Sequence, residues 1–235
     1  MFFDKIESKY EQMNNTYIIT GFYGSGKTEF SINLALNYSN KSHSNKSITL
    51  ADLDVINPYV RSRERQTELA NMGIRIVASS LNNHTSQDVP AISFGFTDDI
   101  VGDNHVIIDL GGSEAGTKVL PGFAQYIQQA NFFCVLNPFR PETDTSKKMI
   151  DFIRLINATA PIKINGLVNN GHMLNFTEAD HVLFSQKIVT QVSKELDIPI
   201  VYTQIHSKIY EQISDQIISQ KVLVFDKLNM RESWQ

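Results

Sequence analysis

A glycine-rich stretch that follows a short apolar run constrains this chain more than any other feature. The run TYIIT, at residues 16–20, leads into GFYGSGKT, which fits the pattern G-x-x-x-x-G-K-[ST] at Gly21, Gly26, Lys27 and Thr28. This pattern needs a strand before it and a helix after it, because backbone N–H groups and the helix N-terminus together surround phosphate groups. The sequence therefore predicts a phosphate-binding loop inside a β-α unit.

Nucleotide contacts are expected along the whole of this loop. The Lys27 side chain would reach the terminal phosphates and assist their transfer, and the Thr28 hydroxyl would bind Mg²⁺. The predicted nucleotide-binding residues of the loop are Gly21, Gly24, Ser25, Gly26, Lys27, Thr28 and Glu29.

The other apolar runs predict a parallel α/β sheet. Eight runs are continuous rather than alternating, which is typical of strands covered on both faces. They lie at residues 16–20, 47–51, 74–79, 105–110, 131–137, 163–169, 198–202 and 222–225. Helix-like segments between them lie at 28–38, 61–72, 123–129, 143–157, 178–196 and 207–219. The alternation predicts a three-layer α/β/α fold with a doubly wound, mostly parallel sheet of about seven or eight strands.

Length and composition favour one soluble domain. The 235 residues are 42% hydrophobic and 20% charged, and the net charge of −4 gives no support for nucleic-acid binding. A single cysteine cannot form an internal disulfide, and no apolar stretch has membrane-spanning length. The first residues lack the basic and apolar regions of a signal peptide. We expect one cytoplasmic nucleotide-binding domain over residues 1–235, with residues 1–15 as an N-terminal extension.

Carboxylates that follow two predicted strands indicate a magnesium site. Asp109 ends the run HVIIDL, so it is expected to hold a metal-bound water opposite Thr28, with the Gly112 N–H near the terminal phosphate. Asp52 and Asp54 follow the run SITLA one residue apart. We expect that only one of these two faces the nucleotide and orients the nucleophile.

These motifs, in this order, resemble the class of P-loop NTPases that contains the signal-recognition, MinD/ParA and nitrogenase-iron-protein branches. The CobQ/CobB amidoligases and dethiobiotin synthetase belong to the same class. The resemblance extends from about Tyr17 to Val224. For the MinD/ParA branch it implies Mg²⁺-ATP as the ligand, Asp54 beside the attacking water and metal, Asp109 as the Walker B aspartate, and Asn170, in GLVNN, as a contact to adenine.

The chain departs from the MinD/ParA pattern early in the phosphate loop. Members of that branch carry a signature lysine that reaches the partner's nucleotide across a dimer, whereas this chain has Phe22 there and Tyr23 next to it. An aromatic ring makes no compensating hydrogen bond to phosphate oxygens, so Phe22 is expected to point away from the nucleotide or to pack at an interface. The motifs DLGG, NPFRP and GLVNN are similar to those of a bacterial MinD-like branch.

Two arginines are candidates for binding an anionic substrate or a partner. Arg61 lies in YVRSRERQTE, where a solvated helix face is the alternative. Arg140 lies between two prolines at the carboxyl end of a predicted strand, the edge at which α/β sheets bind ligands. The long segment 79–104 is irregular, and long loops are often functional.

Three functions are compatible with these residues. The first is an Mg²⁺-dependent ATPase, a hydrolase that acts as a nucleotide-dependent switch. The second is an ATP-dependent small-molecule kinase or amidoligase, with a substrate pocket formed by residues 79–104 and Arg140. The third is a module that holds nucleotide without turnover. A homodimer or another protein partner stays open, and so does GTP, because the Asn-Lys-x-Asp motif is absent but VNN does not decide the base.

Overall fold

Strands and helices alternate along the chain in the computed structural model, which describes residues 15–41, 46–54, 66–78 and 95–229. The strands are β1 (Thr16–Thr20), β2 (Ile48–Leu53), β3 (Ile74–Ala78), β4 (His105–Leu110), β5 (Asn131–Leu136), β6 (Gly166–Asn169), β7 (Ile200–His206) and β8 (Lys221–Phe225). The helices are α1 (Lys27–Lys41), α2 (Gln66–Asn71), α3 (Thr97–Val101), α4 (Glu114–Thr117), α5 (Ser146–Thr159), α6 (Ala179–Leu196) and α7 (Ser207–Ile213). Short 3₁₀ segments lie at Leu120–Tyr126, Leu174–Phe176 and Ser214–Gln216.

The eight strands form one sheet in the order β3-β2-β4-β1-β5-β6-β7-β8, and every pairing is parallel. The predicted fold class is therefore confirmed. β1 lies between β4 and β5, so the chain changes direction along the sheet at this point. Open α/β sheets bind ligands in the crevice outside the carboxyl ends of the strands at such a point. The phosphate loop follows β1 and lies in that crevice.

Apolar side chains cover both faces of the sheet. Ile18 of β1 is buried on one face with Ile153 of α5, whereas its neighbour Ile19 is buried on the other face with Phe30 and Leu34 of α1. Consecutive residues of one strand are thus both in the core. This two-sided burial explains why the apolar runs are continuous. It also holds α1 against one face of the sheet and α5 against the other, beside the phosphate loop.

Two predicted helices differ from the structure. The helix expected over residues 123–129 is wrong, because the segment forms a 3₁₀ turn over Leu120–Tyr126 that is interrupted at Phe123. Pro121 lacks an N–H group and Gly122 has low helix propensity, so a regular α-helix is disfavoured there. The helix expected to run to residue 219 ends at Ile213 and continues only as a 3₁₀ turn.

Some predicted features lie wholly or partly outside the described residues. Arg61 is outside them, and the helix expected over 61–72 is described from Gln66 onward. The loop expected over 79–104 is described from residue 95, where it contains the short helix α3 that the sequence did not predict. Of the N-terminal extension, only Asn15 is described. None of the described helices is long and apolar enough to cross a membrane.

Candidate functional site

The phosphate loop has the backbone that its glycines predict. Gly26 has a φ of +91°, a conformation that side chains rarely allow, and a Cβ there would collide with the amide nitrogen of Asn170. The Ser25 N–H donates to the carbonyl of Phe22 at 3.1 Å, and the Phe30 N–H donates to the carbonyl of Gly26 at 2.9 Å as α1 begins. The first N–H groups of α1 consequently face the turn, which is the geometry that binds anions.

Lys27 lies under a second loop that follows β4. Only 5% of the lysine is exposed. A Cβ added at Gly112 would lie 3.1 Å from the lysine Nζ and 2.9 Å from the Tyr23 backbone nitrogen, so only glycine allows this approach. The loop after β4 is thereby in direct contact with both the phosphate loop and its cation.

Thr28 and Asp109 meet at the position predicted for the metal. The Thr28 hydroxyl donates to Asp109 Oδ2 at 2.6 Å. The other carboxyl oxygen, Oδ1, is buried and has no hydrogen-bond partner among the described residues. An adjacent hydroxyl and carboxylate are oxygen ligands of the kind that Mg²⁺ prefers, so these residues fit the ion.

Burial governs the protonation of Asp109. The pKa of this carboxyl is raised from 3.8 to about 7, with burial as the largest cause and the nearby carboxyls of Asp52 and Asp54 acting in the same direction. Lys27 and the hydrogen bond from Thr28 act in the opposite direction and lower this pKa. A bound cation would favour the ionised form in the same way that Lys27 does.

Asp54, but not Asp52, lies on the cavity wall described below. Asp52 pairs in register with Asp109, and its Oδ1 accepts the Asp54 N–H at 3.2 Å. A Cβ at Gly111 would lie 3.1 Å from Asp54 Oδ1, so the Asp54 carboxylate lies beside the loop after β4. One aspartate of the pair thus supports the turn, and the other lies on the wall of the cavity.

Arg140 closes over the apex of the phosphate loop. Its Nε donates to the Gly24 carbonyl at 2.8 Å, a contact that spans 116 positions of sequence. The loop that carries this arginine is rigid, because Asn137 Oδ1 accepts the Phe139 N–H at 3.1 Å and the Thr143 hydroxyl donates to the Asn137 carbonyl at 2.8 Å. The structure therefore places a second cation beside the loop, within the same chain.

Asn170 is held against the phosphate loop from the other side. Its Nδ2 donates to the Ser25 carbonyl at 2.7 Å, and its backbone N–H donates to the Leu136 carbonyl at 2.9 Å. The side chain is buried but contributes to the cavity wall. The contact to adenine implied by the resemblance stays a prediction, and what the structure adds is a link between β6 and the loop.

Glu29 has a structural partner that the sequence did not indicate. Its Oε1 accepts the backbone N–H of Asn229 at 2.7 Å and the Asn229 amide at 3.0 Å, across 200 positions of sequence. The Asn33 amide donates to the same oxygen at 3.2 Å. Glu29 also lies on the cavity wall, so it connects the end of the described chain to the site.

Phe22 packs away from the phosphate side, as predicted. Its ring lies 5.6 Å from that of Phe152 on α5 in an edge-to-face arrangement, and it joins the core on that face of the sheet. Phe22 contributes nothing to the cavity wall, whereas its neighbour Tyr23, 63% exposed, does. The aromatic residue in the loop is accordingly an anchor to α5.

A cavity of about 860 Å³ contains these groups at one end and extends past the edge of β6 to β7 and β8. This volume lies within the range of ligand sites in proteins. The end at the phosphate loop, called here the phosphate end, is lined by Gly24, Gly26, Lys27, Thr28, Asp54 and Arg140. The opposite end, called here the β7 end, is lined by Gln204, His206, Lys208, Ile209, Phe225 and Asp226, none of which the sequence singled out.

Comparison with known proteins identifies the fold but not a family. No protein-family model matches the chain, and no curated protein matches it in sequence. Among solved structures it is similar to the signal recognition particle receptor FtsY from Elizabethkingia anophelis, at 18% identity and a TM-score of 0.51, with 83% of this chain covered. FtsY from Mycoplasma mycoides matches at 16% identity and a TM-score of 0.54, with 85% of this chain covered. The likeness shows the fold.

The solved structures are longer than the part that matches. This chain covers 60% of the E. anophelis receptor and 62% of the M. mycoides protein. Both matched structures are of FtsY proteins, and what they share with this chain is the fold. The MinD/ParA branch is not singled out by these matches.

Proposed function

We propose that this chain is an Mg²⁺-dependent ATP-binding protein that hydrolyses ATP slowly and acts as a nucleotide-dependent switch. The observation that carries the proposal is the contact between Thr28 and Asp109 at 2.6 Å, beside a buried Lys27 and on a cavity wide enough for a nucleotide. A glycine-rich turn without a ligand would not require a buried cation and a buried carboxyl together, since both are costly to desolvate.

The phosphates would bind where the backbone N–H groups converge at the start of α1. Lys27 and Arg140 supply positive charge from two sides of the loop, and the partial charge at the helix N-terminus adds to it. Thr28 and Asp109 would hold Mg²⁺, which neutralises charge on the phosphates and orients them when it is bound. Asp54, on the cavity wall, would accept a hydrogen bond from the attacking water and orient it.

The loops after β2 and β4 are the segments proposed to respond to the nucleotide. Gly112 lies against the phosphate loop and Lys27, and Gly111 lies beside the Asp54 carboxylate. A terminal phosphate at Lys27 would therefore contact both loops, and its loss would remove that common contact. This direct coupling favours a switch over a site that only stores nucleotide.

The relation that we propose to the MinD/ParA branch does not include the signature lysine that reaches the partner's nucleotide across a dimer. Phe22 is packed on Phe152, and Arg140 reaches the phosphate loop within the same chain. Charge at the loop is therefore supplied without a second copy. A homodimer or another partner would act on the loops rather than complete the phosphate site.

The test is the rate of phosphate release from ATP, with and without Mg²⁺, for the wild type, Asp54→Asn and the exposed control Asp151→Asn. We expect slow, Mg²⁺-dependent turnover that falls about 10²–10⁴-fold in Asp54→Asn, the range for loss of a residue that positions or accepts a proton. The control should match the wild type. Turnover only with an added metabolite would favour the kinase or amidoligase, tight binding without turnover would favour the module, and no binding would contradict the proposal.

A further inference from the structure

Gln204, on β7, is a buried amide whose oxygen has no hydrogen-bond partner. Only 4% of the residue is exposed, and Oε1 is unpartnered within the part of the chain that the structure describes. The residue nevertheless contributes to the wall of the cavity at the β7 end. Buried polar groups in folded proteins are nearly always paired, so an unpaired amide on a cavity wall indicates a partner that enters from the cavity.

The strand register places Gln204 beside the phosphate site. Asn169 of β6 pairs with Thr203 of β7, so the next residues, Asn170 and Gln204, are neighbours at the carboxyl edge of the sheet. Asn170 donates to the Ser25 carbonyl of the phosphate loop. Gln204 lies one strand farther from the loop along the same edge. A nucleotide whose phosphates occupy the loop would extend its base in this direction, because the cavity continues that way.

We propose that Gln204 binds the base of the nucleotide and selects adenine over guanine. The inference rests on the proposed nucleotide site. An amide offers an acceptor and a donor side by side, which match the amino group and adjacent ring nitrogen of adenine, as in the glutamine–adenine pairs of DNA recognition. A half-turn of the amide exchanges its oxygen and nitrogen, so either order can be met. The base edge that carries the amino group and N7 in adenine carries two acceptors, O6 and N7, in guanine, so an amide that faces this edge pairs fully only with adenine.

Because Gln204 is buried, it should distinguish between bases more strongly than the exposed residues near it. Lys208, Asp226 and Lys227 also line the cavity, but all three are exposed, so water replaces any hydrogen bond that a base fails to make. Water cannot do this at a buried amide. A site with a buried polar group rejects a ligand that leaves the group unpaired, and Gln204 is the buried amide among the cavity residues of β7 and α7.

The experiment compares Mg²⁺-ATP and Mg²⁺-GTP affinities by calorimetry in the wild type, Gln204→Met, Gln204→Glu and Gln212→Met. Methionine keeps the shape of glutamine but removes both hydrogen-bonding groups. Gln212 is a matched control, because it lines the same cavity but is exposed and donates its amide to the Lys208 carbonyl at 2.8 Å. The melting temperature of each nucleotide-free variant is measured alongside.

We expect the wild type to bind ATP more tightly than GTP by roughly 5- to 150-fold, the value of one good bidentate contact to a base. Gln204→Met should lose most of this preference and melt no lower than the wild type, since Oε1 has no hydrogen-bond partner within the described ranges. Gln204→Glu should weaken binding of both nucleotides, because a carboxylate cannot donate a hydrogen bond to the N7 that both bases present at this edge. Gln212→Met should keep the wild-type ratio.

Three results would overturn the inference while leaving the nucleotide site intact. They are equal wild-type affinity for the two nucleotides, an unchanged ratio in Gln204→Met, and a large loss of melting temperature in Gln204→Met with the ratio retained. The last would identify a purely structural amide. Absence of binding of either nucleotide to the wild type would instead contradict the proposed function itself, so the two failures are distinguishable.

Discussion

The two ends of the cavity differ in how the side chains that line them are held by the rest of the protein. At the phosphate end, Thr28 donates to Asp109, and Arg140 and Asn170 each donate to a carbonyl of the phosphate loop. At the β7 end, the buried amide oxygen of Gln204 has no partner among the described residues. The side chains of the phosphate end are thus held in position before a ligand arrives, and an atom there without a partner in the described part of the chain is the carboxyl oxygen Oδ1 of Asp109, which would face a cation. The β7 end instead has a neutral buried amide that a ligand would satisfy.

This difference assigns nucleotide affinity to one end of the cavity and discrimination between bases to the other. Groups that are already held in position lose little entropy when they bind a ligand, so the phosphate end should supply most of the binding free energy. A single buried amide contributes less to affinity but discriminates between bases. Changes at the phosphate end should therefore affect all nucleotides alike, and changes at the β7 end should alter their ratio.

The largest expected effect is at Lys27. Lys27→Ala should weaken Mg²⁺-nucleotide binding by about 2–5 kcal/mol, the range for breaking a buried, hydrogen-bonded charge pair, and ATP and GTP should lose equally. The exposed control Lys194→Ala should bind as the wild type does. Calorimetric titration measures both. Wild-type-like affinity in Lys27→Ala would remove the loop from the binding site.

The next effect is on stability, through Asp109. Its pKa is raised from 3.8 to about 7 in the folded protein, so its contribution to stability is fully present below about pH 4 and is lost as the pH rises through about 7. Asp109→Asn replaces the titrating carboxyl with a neutral amide, so it removes this loss of stability at high pH. The nucleotide-free variant should gain more stability at pH 8 than at pH 5, by roughly 2–3 kcal/mol.

Urea unfolding at the two pH values measures this difference, with Asp151→Asn as the exposed control. The same Asp109 variant should lose the Mg²⁺ dependence of ATP binding, because Thr28 alone offers one ligand oxygen. A gain that is equal at both pH values would show that the carboxyl is not the group that titrates.

A smaller effect is expected at Arg140. Arg140→Ala should weaken ATP binding by about 1.5–3 kcal/mol, the range for a hydrogen bond to a charged group, with the ATP-to-GTP ratio unchanged. Arg140→Lys keeps the charge but not the Nε–H that bonds Gly24, so comparison of the two variants separates charge from positioning. A change in the nucleotide ratio would mean that Arg140 belongs functionally to the β7 end.

The smallest effect on turnover is expected at Phe22. Phe22→Lys should leave the ATPase rate nearly unchanged but lower the free energy of unfolding by about 1–3 kcal/mol, because a lysine replaces a ring packed on Phe152. Tyr23→Lys, at an exposed neighbour, should cost less stability. Turnover that rises steeply with protein concentration in Phe22→Lys alone would show that position 22 faces a second copy.

The phosphate end was predictable from sequence because its residues follow strands in short motifs. Gly21 to Thr28 and Asp109 lie where their motifs place them, since continuous apolar runs identified all eight strands. The contacts of Arg140 with Gly24 and of Asn229 with Glu29 were not predictable, because they join segments 116 and 200 positions apart. Such contacts depend on the order of the strands in the sheet and on how distant segments pack together.

The β7 end was missed for a related reason. The run IPIVY predicts a strand that ends at Tyr202, but β7 continues to His206 and carries Gln204 into the wall of the cavity. Polar residues at the end of an apolar run are typical of a turn, so nothing local marks this glutamine as buried. Its burial depends on the neighbouring strands, where Gln204 pairs in register with Leu223 of β8.

The most direct test of the two-ended site is competition between ATP and inorganic tripolyphosphate, both with Mg²⁺, measured by calorimetry on the wild type. If the phosphate end supplies most of the affinity, tripolyphosphate should bind at one site per chain and displace ATP, and ATP should bind more tightly by the contribution of its base. If saturating tripolyphosphate leaves ATP binding undiminished, ATP binds elsewhere, and the phosphate end described here is not its site.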